Sequence, residues 1–279
     1  MKAVDIVLNK NIKNNIQTID FEQAKQIVDL RDVSNNMNNK LLLPKYSIFT
    51  LTIILQILMA ASLSGWILSR PFFAVIEWLS VLLTSIFFFK INFKSISENY
   101  LSRFYSNCSI ILNVCSLVFS IGLWILLLTF SGNISMEYLS QILVQMFLSI
   151  MSIFFLEFSI YKYIQYRVLQ EISTFRADIK TPIFGKLIDK SMIYGIGLII
   201  IAMQYYRINK FWIIGNSSWI TKVLIPVGQL FLWLIILLLL IALPIRIFYP
   251  NFVKNYILQL YSEEFRNEYG FTEKEWYSG

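Results

Sequence analysis

The sequence predicts an all-α, polytopic membrane protein with six transmembrane helices and both termini in the cytoplasm. Six stretches, residues 46–69, 72–89, 108–130, 138–161, 191–206 and 223–245, hold almost nothing but apolar side chains. A helix rising ~1.5 Å per residue needs about 17–25 residues to cross a ~30 Å hydrocarbon core, and the stretches run close to that length. The 279-residue chain is 57% apolar and 15% charged, against roughly 25% charged in soluble domains. Orientation follows from the cations. With the amino terminus inside, twenty of the 24 Lys and Arg residues fall on the cytoplasmic side, where positive loops are retained. Only Arg70, Arg207, Lys210 and Lys222 lie outside.

Residues 1–45 form a polar, asparagine-rich cytoplasmic segment without the pattern of a cleaved signal peptide, so the first span is expected to insert as a permanent helix. Asp20 is a good cap residue, and Phe21, Ala24, Ile27, Val28 and Leu30 recur at helical spacing behind it. They predict a short amphipathic helix over about 21–32 that docks on the protein rather than on lipid. The run Val33–Lys40, with asparagines at 35, 36, 38 and 39, reads as a flexible linker.

The bundle is expected over 46–248. Its weak point is the fifth span, with only 16 uncharged residues between Lys190 and Arg207, so five spans is the alternative. The cytoplasmic connection 164–189 is the longest between spans. Tyr166, Val168, Leu169, Ile172 and Phe175 recur near helical spacing, which extends the fourth span into the cytoplasm until Thr181-Pro182 interrupts it. The same connection could couple the spans to a partner.

Residues 249–279 read as a helical cytoplasmic tail. Tyr256, Leu258, Leu260, Tyr261 and Phe265 predict a helix broken near Gly270. Thr272-Glu273-Lys274-Glu275 matches a capping box, and Phe271 and Trp276 are spaced for a hydrophobic staple. A helix this short needs packing, so Phe271, Trp276 and Tyr277 must dock on the protein's own loops or contact a partner.

The candidate site residues are the amides and acids within the spans: Gln56, Glu77, Asn113, Gln141, Gln145, Gln204 and Gln229. Such groups in hydrocarbon need partners and are expected to face the bundle interior. Thr52, Gln56, Ala60 and Ser64 follow one another at four-residue intervals, and Asn113, Ser116 and Ser120 form a second stripe. Glu77 lies about 8 Å from the outer end of the second span, on one face with Arg70, Ser80 and Thr84. Two readings follow: a functional intramembrane carboxylate, or an acid that reaches water or pairs with Arg70. Glu157, nearer the cytoplasmic surface, ranks lower. Small residues such as Ala61 and Gly65 serve packing within the monomer or between protomers.

With no histidine in the chain, a His-ligated metal or haem and a Ser-His-Asp triad are excluded. No pair of acids is arranged for acid and base work, so no enzyme, cofactor or metal is expected. Cys108 and Cys115, seven apart on one helix, read as packing residues. The net charge of +7 shows no dense basic run, which argues against nucleic acid. Abundant Asn, Ile, Lys, Phe and Tyr fit an AT-rich genome, hence the plasma membrane of a low-GC bacterium. Two roles fit: a membrane subunit of an export or resistance system, peptide- or bacteriocin-related and working with a separate ATPase, or a stand-alone interaction protein such as an immunity or accessory factor.

Overall fold

The computed structural model describes residues 19–37, 42–66, 71–129, 139–175, 181–192, 194, 197, 200, 204 and 235–277. Every regular element among them is helical. Three helices are long and apolar enough to cross a membrane, at Pro44–Ser64, Phe73–Ser97 and Asn99–Trp124. The bent pair Ile235–Ile247 and Phe252–Leu260 makes a fourth if counted as one span.

The amino-terminal expectation needs correction. Instead of one helix over 21–32 and a linker after it, there are two helices, α1 (Phe21–Ile27) and α2 (Leu30–Met37). Asp20 caps α1 as expected, accepting from the Gln23 amide at 2.8 Å. The break comes from Asp29, whose carboxylate accepts from the Asp32 amide at 2.7 Å and so starts a second helix. The asparagines of α2 have weak helix propensity, and tertiary bonds override it. Asn36 donates to Asn255 at 2.7 Å, Asp32 pairs with Lys254 at 2.7 Å, and Val33 is fully buried.

Three helices then form a bundle: α3 (Leu42–Ala61), α4 (Pro71–Ser97) and α5 (Ser102–Thr129). Pro44 falls in the first turn of α3, where its missing N–H has no intrahelical partner to lose. A π turn, Ser62–Trp66, ends α3, and the Ser62 and Ser64 hydroxyls donate to the Met59 and Ala60 carbonyls. Glu98 and a tight turn, Asn99–Leu101, join α4 to α5. Packing is inverted relative to a water-soluble protein. Gln56 and Glu77 are fully buried, whereas Leu82 is 55% exposed and Leu79, Leu83, Ile86 and Phe87 are exposed beside it. That pattern suits a hydrocarbon solvent.

The next helix, α6 (Leu139–Ser173), has 35 residues and extends roughly 52 Å. It therefore continues past the apolar stretch, as the periodicity of 166–175 predicts. It stops at Ser173, before Thr181-Pro182, with the Ser173 and Thr174 hydroxyls turned back onto the Gln170 and Glu171 carbonyls. Helix α7 covers 183–192, and helical backbone recurs at 194, 197, 200 and 204. Helical backbone is thus present from 183, ahead of the uncharged stretch that follows Lys190.

Helix α8 (Ile235–Ile247) packs by Leu237, Ile241, Ala242 and Ile245 against Val118 of α5, Tyr163 and Tyr166 of α6, and Ile188 and Met192 of α7. Asp189 of α7 accepts from the Tyr163 hydroxyl at 3.1 Å and faces Arg246 of α8 at 3.8 Å. Gly185 allows α7 to touch α6, because a Cβ there would overlap Cβ and Cγ of Tyr166. Since Tyr166 Cβ cannot move without its backbone, Gly185→Ala is expected to cost about 1–3 kcal/mol. A lower melting temperature in detergent checks this.

The chain bends by 46° after α8. Asn251 at the bend takes a left-handed conformation, φ 48°, which asparagine tolerates better than most residues. Three short helices follow: α9 (Phe252–Leu260), α10 (Ser262–Glu268) and α11 (Glu273–Tyr277). The tail therefore breaks at Tyr261 as well as near Gly270. Gly270, φ +70°, is the left-handed residue that closes α10, with the Phe271 amide donating to the Arg266 carbonyl at 3.1 Å.

The capping box forms as read from sequence. The Thr272 amide donates to Glu275 at 2.8 Å, and the Glu275 amide donates to the Thr272 hydroxyl at 3.3 Å. The staple forms too, with Phe271 and Trp276 rings 5.5 Å apart.

A second core joins distant parts of the chain. Ala24, Val28 and Val33 pack with Tyr100, Leu101, Phe104 and Tyr105, with Val168 and Ile172 of α6, and with Phe252, Ile257, Leu258, Phe265 and Trp276. Tyr261 donates to the Ile19 carbonyl, Tyr269 to the Val28 carbonyl at 2.9 Å, and Lys25 pairs with Glu268 at 3.1 Å. The two terminal segments, the α4–α5 turn and the end of α6 therefore form one body.

A candidate intramembrane polar site

Gln56 lies at the centre of the three-helix bundle because α3 turns its Thr52-Gln56-Ala60 stripe towards α4 and α5, and all three side chains are buried. The Gln56 amide nitrogen reaches Ser116 Oγ at 2.7 Å, Ser120 Oγ at 3.0 Å and Ser80 Oγ at 3.1 Å. Its two hydrogens cannot serve three hydroxyls at once, so the bonds are shared among them. Thr84 of α4 bonds to Ser116, which ties α4 to α5 independently of Gln56. Trp124 Nε1 donates to Ser62 Oγ at 2.9 Å and closes the cluster towards the end of α3.

Glu77 is fully buried beside this network, with Ser120 as its polar neighbour. The reading in which it reaches water does not hold. The helix face that carries it points to α3 and α5, and the lipid-facing side of α4 is taken by Val75, Trp78 and Leu79. Arg70, the alternative ion partner, lies outside the described residues. Neither Glu77 oxygen has a hydrogen-bond partner among the described residues, and the same is true of Gln56 Oε1, Thr52 Oγ1 and Asn113 Oδ1. Asn113 spends its amide on the Ser109 carbonyl of its own helix, at 2.7 Å. Each unmet buried polar group costs about 1–3 kcal/mol. Ser120, which accepts from Gln56, keeps its own O–H and is the donor nearest Glu77, so the acceptors left over are the amide carbonyls of Gln56 and Asn113 and part of the Glu77 carboxyl. The chemical complement of this column of acceptors is a group that brings N–H or O–H bonds.

Of the other residues singled out, Gln141 and Gln145 lie on α6, but their side chains are outside the described residues, as is the whole of Gln229. Gln204 is exposed, contrary to the inward expectation; it shares its face with Ile183, Leu187, Tyr194 and Ile200, which are exposed as well. Glu157 is exposed. Phe271, Trp276 and Tyr277 are used within the chain. Trp276 is fully buried, stacks on Tyr100 at 4.9 Å and donates from Nε1 to Ser262 at 2.9 Å. Tyr277 packs on the Tyr100 ring edge and bonds to Glu263.

Sequence reading missed Glu171. It is part-buried at the end of α6, and accepts from the Lys254 amide at 2.9 Å, the Val253 amide at 3.3 Å and the Tyr249 hydroxyl at 2.9 Å. It thus holds the start of α9, where free N–H groups and the helix dipole favour a carboxylate. Burial pushes its carboxyl above the usual carboxylate range, and these donors oppose the shift. A signal was present: one acid among the apolar positions 168, 169, 172 and 175. No family model matches the chain, and no curated protein or solved structure matches it.

Proposed function

We propose that the chain is the multi-pass membrane subunit of a bacterial export or resistance system, handling a peptide and working with a separate ATPase. The observation that carries this reading is the buried acceptor column of α3, α4 and α5. A helix bundle that only had to pack in lipid would gain from meeting or removing these oxygens, because hydrocarbon offers no replacement bonds. A peptide, rich in N–H groups, is the solute such a column suits.

The proposed topology has six spans in the plasma membrane with both termini cytoplasmic. The shared core supports it through parity. Helices α3 and α4 separate α2 from Tyr100, α5 and α6 separate Tyr105 from Val168, and all these residues pack together. Each excursion into the membrane must therefore return to the side it left, which favours an even count over five. The cation count favours the cytoplasm as that side. On this reading residues 1–45 and 249–279 form the cytoplasmic module with the end of α6, and 46–248 form the bundle. Phe175 and Ile183, both exposed at the tip of the 164–189 connection, are where the ATPase would be engaged.

The test is export of, or resistance to, the peptide in cells carrying Glu77→Gln, alongside co-purification of an ATPase with the tagged chain. Glu77→Gln is expected to abolish export while the ATPase is retained, and replacing Phe175 and Ile183 with serine is expected to release it. Full export by Glu77→Gln contradicts the proposal.

A further inference from the structure

We propose that a cleft at the inner ends of α5 and α8 binds the phosphoglycerol headgroup of an anionic lipid. The cleft has a volume of about 290 Å³ and is lined by Asp32 of α2, Arg103 and Asn107 of α5, and Asn251 and Lys254 at the start of α9, with Ile247 among its walls. Arg103 is the second residue of α5 and Ile247 the last of α8, so the cleft opens where two apolar helices end. That is the depth of lipid headgroups.

Its chemistry is selective. Lys254 and Asp32 neutralise each other at 2.7 Å, which leaves Arg103 as the net charge. Arg103 is exposed and makes no ion pair among the described residues, so its guanidinium fork is available to a phosphodiester. Asn107, 9% exposed, lines the same cleft, and its Oδ1 has no hydrogen-bond partner among the described residues. A side-chain amide at the wall is a group that a ligand hydroxyl can bond. The Asn251 side chain, which caps no helix, adds a second adaptable polar group. A phosphate carrying hydroxyls satisfies Arg103 and Asn107 together. A headgroup ending in an ammonium does not, because the one carboxylate of the cleft already holds Lys254. Soluble glycerol phosphate shares this chemistry, but Ile247, 63% exposed, offers an acyl chain a path along α8 and favours the lipid.

The test uses the full chain, delipidated in neutral detergent and titrated with dihexanoyl phosphatidylglycerol, dihexanoyl phosphatidylcholine and glycerol 3-phosphate. Native mass spectrometry counts the bound ligand. Phosphatidylglycerol is expected to bind about tenfold more tightly than either competitor, the scale of one charge-assisted contact. Arg103→Gln is expected to remove that preference with an unchanged melting temperature. Asn107→Asp, nearly isosteric, places a negative charge in the cleft and is expected to do the same; it decides the matter alone if the first variant does not fold. Equal binding of the two lipids, or a preference that survives both variants, overturns the site. Glycerol 3-phosphate binding as tightly as phosphatidylglycerol overturns the lipid assignment.

Discussion

Replacing Trp276 with alanine is expected to destabilise the folded protein by about 3–5 kcal/mol, the usual cost of emptying a buried aromatic site. The indole is fully enclosed, stacked on Tyr100 with rings 5° from parallel, and anchored through Nε1 to Ser262. Alanine removes all three contacts and leaves Tyr100 facing a void. The loss extends beyond the tail, because the same core holds α1, α2 and the end of α6. Limited proteolysis of membranes checks the prediction directly: cleavage within 19–37 is expected to rise together with cleavage near 270. Trp276→Phe, which keeps the ring stack and loses the hydrogen bond, is expected to be much milder. A Trp276→Ala protein with unchanged protection of both termini contradicts the shared core.

The second large effect is expected at Glu171. Glu171→Ala strips the Lys254 and Val253 amides and the Tyr249 hydroxyl of their acceptor at one stroke, at about 1–3 kcal/mol for each group that water cannot reach. The expected total is about 3 kcal/mol or more, and α9 is expected to detach from α6 first.

The carboxyl also sets a pH dependence. Burial raises its pKa in the folded state, so between the unfolded and folded values the folded protein binds the extra proton. Stability contributed by this group therefore rises as pH falls through that window, and declines as pH rises through it. Glu171→Gln cannot titrate. Its deficit relative to the native protein is expected to widen as the pH is lowered from neutral towards the unfolded carboxylate value. Chemical unfolding of both proteins at several pH values measures the difference; a constant deficit contradicts the assignment.

Much of this was legible in the sequence wherever the determinant was local. Thr272 and Glu275 need only each other to form a capping box, and Asp20 needs only the amide three residues on. The extension of α6 past its apolar stretch follows from its own periodicity. The polar stripes of α3 and α5 were visible because four-residue spacing fixes one helical face, and Ser80 and Thr84 share a face with Glu77 for the same reason. What the sequence hid depends on distant partners. Asn36 sits in a helix because Asn255 meets it, 219 residues away, and Asp32 because Lys254 does.

Asp29 illustrates a different limit. An aspartate among helically spaced apolar residues can continue a helix or start a new one, and only packing decides. Gln204 departs for a simpler reason: it falls on the same side of its helix as Ile200 and Tyr194, which face outward. Glu77 is buried because α3 and α5 close over the face it shares with Thr84, in line with the inward expectation for polar groups within the spans and against the reading in which it reaches water.

The proposed placement of both termini on the cytoplasmic face is tested most directly by labelling single cysteines. With Cys108 and Cys115 replaced by serine, Glu22→Cys in α1 and Glu264→Cys in α10 each expose one thiol, since both glutamates are exposed. A membrane-impermeant maleimide is applied to intact cells and to inverted vesicles. Both thiols are expected to react only in inverted vesicles. Reaction of either one in intact cells contradicts an even number of crossings with both ends inside.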